Sequence, residues 1–123
     1  MEITDLISRF GVSDRASLAV RHNGTGYFAV TPKAPYDGSL TITEQAQQMF
    51  EKMEARLAEI GSGKDKILMC AIILADMGDY AAFNEAWIDW LKDVAPPTRG
   101  CFAAQLAKPG LKVEMLVVCA TSE

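Results

Sequence analysis

Histidine and cysteine are scarce in this chain of 123 residues, which carries one histidine, His22, and three cysteines, Cys70, Cys101 and Cys119. An odd number of cysteines without a C-x-x-C pair or a companion histidine argues against a disulfide framework and offers no zinc set; reduced thiols in the cytosol fit better. Positive charge is also in short supply. Twelve Lys and Arg stand against sixteen Asp and Glu, a net charge of −4. Phosphate backbones are held by clustered Lys and Arg, so nucleic acid is not an expected partner. No long apolar stretch is present: the longest, Ile67 to Ala75, is less than half of the roughly 20 residues that cross a bilayer as a helix. The first ten residues include Glu2, Asp5 and Arg9, which is not the pattern of a signal peptide, and a cytoplasmic location without membrane association is expected. Ser, Gln and Pro tracts are missing too, so composition gives no sign of disorder.

What is there is the material of one folded domain spanning residues 1–123. Half of the residues are apolar and 23% charged, enough to bury a core without staples. Two short strands, Leu18 to Arg21 and Tyr27 to Val30, flank the turn-rich His22-Asn23-Gly24-Thr25-Gly26, a hairpin pattern. A loop through Thr31-Pro32-Lys33-Ala34-Pro35-Tyr36-Asp37-Gly38 follows, long enough to border a site. Thr41 and Glu44 have capping-box spacing, and Ala46, Met49, Phe50, Met53, Leu57 and Ile60 recur on one helical face that ends at Gly61. Lys66 to Ala75 reads as a central strand. A second helix carries Tyr80, Phe83, Trp87, Leu91 and Val94 as its apolar stripe, and Pro96 and Pro97 stop it. Arg99 to Leu106 and Leu111 to Ala120, joined through Pro109-Gly110, close the chain as strands.

The order ββαβαββ predicts an α+β fold: a mixed sheet with two helices on one face, and a second face that partner subunits would cover. The Gly61-Ser62-Gly63-Lys64 stretch does not satisfy the phosphate-loop pattern and follows a helix rather than a strand, so it is read as a helix-ending turn.

Three blocks carry a resemblance. Ala75-Asp76-Met77-Gly78-Asp79-Tyr80-Ala81-Ala82-Phe83-Asn84-Glu85-Ala86-Trp87 is followed by Ala95-Pro96-Pro97-Thr98-Arg99-Gly100-Cys101, and then by Lys112-Val113-Glu114. In content and spacing they resemble the C-terminal half of the YjgF/RidA family, in its YoaB-like branch, over roughly residues 64–120; the first half agrees in element order and length. The resemblance implies a chorismate mutase-like fold and a cytoplasmic homotrimer. It implies hydrolysis of reactive 2-imino acids, such as 2-iminopropanoate and 2-iminobutanoate, to 2-oxo acids and ammonia in clefts between subunits. No cofactor is called for, because the imine carbon is already electrophilic.

The family pattern then assigns roles. Arg99, two residues after Pro97, stands where the family holds the substrate carboxylate, and a planar guanidinium can grip a carboxylate through two parallel hydrogen bonds. Taken alone, Arg99 reads first as a surface strand arginine in a weak, solvated ion pair. Glu114 matches the glutamate that positions or activates the hydrolytic water; taken alone, it is an edge-strand charge that discourages aggregation. Cys101 lies two residues past Arg99, so on a strand both face the same way and both would line the cleft. As a nucleophile Cys101 lacks a base, since nothing places His22 beside it. Asn84, on the second helix, would bond a ligand or hold a loop. Where family deaminases end their second strand in Ser-Gly, this chain has Val30-Thr31, and Ser17 stands near the position of a missing pocket tyrosine. Thr31 and Ser17 are therefore expected at the cleft with Arg99, Cys101, Asn84 and Glu114. The competing reading is a trimer that binds a small carboxylate metabolite without turning it over. Ribonuclease activity has little support in so acidic a chain.

Overall fold

A computed structural model describes residues 2–122. Its centre is one six-stranded sheet formed by β1 (Ser8–Phe10), β2 (Ala19–His22), β3 (Thr25–Val30), β4 (Ile67–Leu74), β5 (Thr98–Ala103) and β6 (Val113–Ala120). They lie in the order β1-β2-β3-β6-β4-β5, antiparallel except for the β4–β5 pair. That parallel pair requires a crossover, which α2 (Tyr80–Trp90) supplies. The other helix, α1 (Ile42–Glu59), joins β3 to β4.

The expected α+β layering is present, with one strand more than the sequence suggested: β1 precedes the hairpin. The hairpin itself is tighter than expected. His22 pairs with Thr25, leaving Asn23 and Gly24 alone in the turn with φ of 54° and 78°. Both signs are those of a type I′ turn, whose twist matches that of the strands it joins. Elsewhere bounds shift. α2 stops at Trp90 rather than near Val94, because Leu91 caps it, and the last strand starts at Val113 rather than Leu111. β5 closes at Ala103, three residues short of the Leu106 expected.

Local chemistry explains α1. Thr41 Oγ1 accepts from Glu44 N at 3.1 Å while Glu44 Oε1 accepts from Thr41 N at 2.9 Å, so two orphan amides are satisfied at once. At the other end Gly61, at φ 78°, turns the chain; Ser62 N donates to Leu57 O at 2.8 Å and Gly61 N to Ala58 O at 3.2 Å. That pair of bonds is a Schellman end, which only a residue comfortable at positive φ completes without strain.

Both helices pack on one sheet face. Ala46, Met49, Met53, Leu57 and Phe83 meet Cys70, Ile72, Leu74, Val113, Met115, Val117 and Cys119 in a single buried cluster. Phe50 ties the helices together, with its ring centroid 6.1 Å from Phe83 and stacked 4.3 Å from Trp90. Gln45 is the one buried polar side chain among the described residues. Its Nε2 donates to Asp37 O at 3.1 Å and Gly110 O at 2.7 Å, and its Oε1 accepts from Lys112 N at 2.9 Å. It thereby clamps the loop after β3 to the loop before β6. No helix among the described residues is long and apolar enough to cross a membrane.

The opposite face is bare. Tyr27 (46% exposed), Met69 (48%), Phe102 (50%) and Leu116 (47%) stand on it, related by the registers Tyr27↔Val118, Met69↔Val118, Ala71↔Leu116 and Ile73↔Phe102.

Candidate active site

Strand parity decides which predicted residues meet. Cys70 pairs with Arg99 and Ile72 with Cys101, and Cys70 and Ile72 face the helices, so Arg99 and Cys101 do also. Arg99 comes to rest against α2. Its guanidinium carbon is 5.3 Å from the centroid of Trp87 and 6.0 Å from that of Tyr80, distances at which ring faces attract a cation. Nη2 donates to Asn84 Oδ1 at 2.5 Å, with the Tyr80 hydroxyl 3.5 Å away. Asn84 thus holds the arginine rather than a loop.

The remaining nitrogen is the informative one. Arg99 Nη1 is buried and has no hydrogen-bond partner, and no carboxylate pairs with Arg99 among the described residues. A buried donor on a permanent cation is costly to leave unmet. The geometry is that of a receptor for an anion, fixed in place by an amide and two rings before the anion arrives.

Cys101 shares the Arg99 face as expected. Burial pushes its thiol up from the ordinary cysteine value, with the Arg99 charge opposing. Cys70 is pushed further, to about 12, by burial and by Cys119, again against Arg99. A thiol held protonated is a poor nucleophile.

Glu114 does not join this group. It pairs with Ile73, which pairs with Phe102, on the bare face of the sheet. Within one chain Arg99 and Glu114 are on opposite faces of the sheet, so the cleft expected to hold both is not formed by a single chain. The reason is register: a parallel crossover and an antiparallel return put odd and even positions of β5 and β6 on different faces.

Thr31 lies nearer to Glu114. Continued one residue past Val30↔Met115, the β3–β6 register sets Thr31 against Glu114. From there to β5 is three strand spacings, roughly 14 Å. Thr31 Oγ1 is 2.9 Å from Tyr36 Oη, and both border a cavity of about 250 Å³ with Leu18 and Val30. Ser17, half-buried before β2, is next to that Leu18. Six nominated residues therefore form two groups: Asn84, Arg99 and Cys101 at the β5 edge, and Ser17, Thr31 and Glu114 around the far end of β3.

Sequence reading missed Tyr36, and it took Tyr80 and Trp87 for core alone. The i, i+4, i+7 spacing of Tyr80, Asn84 and Trp87 with an arginine on the following strand was the signal for a held guanidinium. Among the described residues no group of three or more metal-binding side chains is found.

Known proteins share this arrangement of elements. The family model described as endoribonuclease L-PSP matches residues 7–121. The chain belongs to that family, the YjgF/RidA proteins. Among its YjgF/RidA relatives, a RutC family protein of Haemophilus influenzae is 40% identical over 116 residues, covering 91% of this chain and 96% of the relative. RutC family protein YoaB of Escherichia coli is 35% identical over 114 residues, 93% of this chain and 97% of YoaB. The crystal structure of a YjgF family member from Neisseria meningitidis superposes with a TM-score of 0.83 at 34% identity, covering 95% of this chain and 96% of the other.

Proposed function

We propose that this protein hydrolyses 2-imino acids to 2-oxo acids and ammonia in a cytoplasmic trimer, at clefts where the Arg99 group of one chain meets the Glu114 group of another. The observation that carries the reading is the buried Arg99 Nη1 without a partner. A substrate carboxylate supplies the missing acceptor, and the pair of charge-assisted bonds fixes the plane of the adjacent C=N group. The bare sheet face gives a second chain apolar surface to cover, and three cysteines outside any disulfide suit the cytosol.

In this cleft Glu114 accepts a proton from water as the water oxygen bonds to the imine carbon and the C=N electron pair moves to nitrogen. Glu114 then returns the proton to nitrogen. The carbinolamine collapses: its hydroxyl proton passes through Glu114 to the amino nitrogen, C=O forms, the C–N bond breaks and ammonia departs. Water is the only co-reactant. Orientation and proton transfer are the two contributions asked of the protein. Endoribonuclease, the activity in the family description, fits this chain less well, since a net charge of −4 offers no polyanion track.

The test is ammonia release from 2-iminopropanoate and bulkier 2-imino acids generated in place by an amino-acid oxidase. Wild-type protein is expected to accelerate release, and Arg99→Ala to lower kcat/KM by about 100-fold, the scale of a charged bidentate contact. Binding of 2-oxo acids with rates at background for every substrate would instead establish the carboxylate-binding trimer.

A further inference from the structure

The cavity beside Thr31 has a wall that the imine reading does not use. Besides Leu18, Val30, Thr31 and Tyr36 it is lined by Lys52 and Arg56, one helical turn apart on α1, and by no carboxylate among the described residues. Like charges at i, i+4 destabilise a helix by a few tenths of a kcal/mol, so their pairing here needs an external reason. Arg56 is partly neutralised: its Nη1 bonds Glu59 Oε1 at 2.6 Å, and Glu59 lies outside this cavity, on the neighbouring surface of α1. Lys52 is not. Its Nζ donates to the carbonyl of Pro32 at 3.1 Å, and no ion pair is formed by it among the described residues. Partial burial, then the Arg56 charge, pulls the Lys52 ammonium below the ordinary lysine range. Opposite, Tyr36 and Thr31 hold two hydroxyls 2.9 Å apart, of which only one needs to donate to the other, leaving a proton free for a ligand.

We propose that Lys52, Arg56, Tyr36 and Thr31 form an anion-binding site, separate from the Arg99 of the same chain, for a small molecule bearing two negative charges. A volume of about 250 Å³ is below that of drug-sized ligand sites and suits a short dicarboxylate or a phosphate group. In one chain β6 and β4 stand between this cavity and β5, so a small ligand here does not reach the same chain's Arg99.

Calorimetric titration of the full chain with succinate and, separately, with inorganic phosphate tests the site. Either probe is expected to bind the wild type, and which binds tighter identifies the dicarboxylate or the phosphate as the ligand class. Because Arg99 is itself proposed to hold a carboxylate, the titrations are repeated in Arg99→Ala protein, where binding at this cavity is expected to remain. Lys52→Gln should weaken it about tenfold or more, Tyr36→Phe by a few-fold, and Lys52→Arg should restore most of it. Thermal melting controls for folding: Lys52→Gln relieves a like-charge pair, so its Tm is not expected to fall. Loss of binding in Arg99→Ala with none lost in Lys52→Gln would overturn the proposal, as would no heat from either probe at millimolar concentration. Imine hydrolysis is read separately, by the ammonia assay.

Discussion

The two faces of the sheet are built from the same strands and differ in almost every other respect. On the helix-covered face Val113, Met115, Val117 and Cys119 are buried by α1 and α2. On the other, Tyr27, Met69, Phe102 and Leu116 are about half exposed and Glu114 stands among them. One face holds the chain together; the other leaves apolar side chains exposed. The chemistry divides the same way, with Arg99 on the covered face and Glu114 on the bare one. On the proposed function, a strand that alternates sides contributes to a core and to a neighbour's cleft at once.

The sharpest way to break this comparison is to make equally drastic changes on each face. Phe83→Ala, in the covered core, is expected to cost about 3–5 kcal/mol through lost burial and a residual cavity, read by urea denaturation. Leu116→Lys should leave a single chain folded, by far-UV circular dichroism, while sedimentation shows the assembly reduced to monomers and ammonia release falls with it. A Leu116→Lys protein that unfolds would mean that the bare face also stabilises the chain.

Next in size is Gln45→Leu. It strands Asp37 O, Gly110 O and Lys112 N, so a loss of about 2–4 kcal/mol is expected in the same denaturation assay. Lys112 is two residues before Glu114, so kcat should fall in this variant at temperatures where it remains folded.

The raised thiols give a pH signature. Cys70 titrates near 9.0 in an unfolded chain and at about 12 when folded. Below 9 both states hold the proton and stability is intact; above 9 the unfolded state releases it first, so stability should decline from about pH 9 toward 12. Cys70→Ala should flatten that decline in Tm measured against pH. The smallest effect belongs to the α1 cap: Thr41→Ala is expected to cost about 1 kcal/mol, seen as a lower denaturation midpoint with activity unchanged.

How much of this was legible follows from how local each signal is. The capping box, the Gly61 ending and the Asn23-Gly24 turn depend on residues a few positions apart, and the structure has all three. β1 was not visible because Ser8–Phe10 is only three residues long and its partner β2 begins nine positions further on. Gln45 was passed over because a polar letter inside an apolar stripe does not announce burial; its partners are loop backbone atoms far along the chain. Arg99 and Asn84 were named through the family resemblance, and Cys101 through strand alternation from Arg99. Their separation from Glu114 was not legible, since it depends on the combined register of β4, β5 and β6, which no spacing in the sequence encodes.

The most direct test of a site divided between chains is complementation. Arg99→Ala and Glu114→Gln chains, carrying different affinity tags, are co-expressed and the doubly tagged assemblies assayed for ammonia release from 2-iminopropanoate. Each variant alone is expected to be nearly inactive, and the mixed assembly to recover activity, because some clefts combine an intact Arg99 from one chain with an intact Glu114 from the other. Mixed assemblies as inactive as either parent would contradict the account.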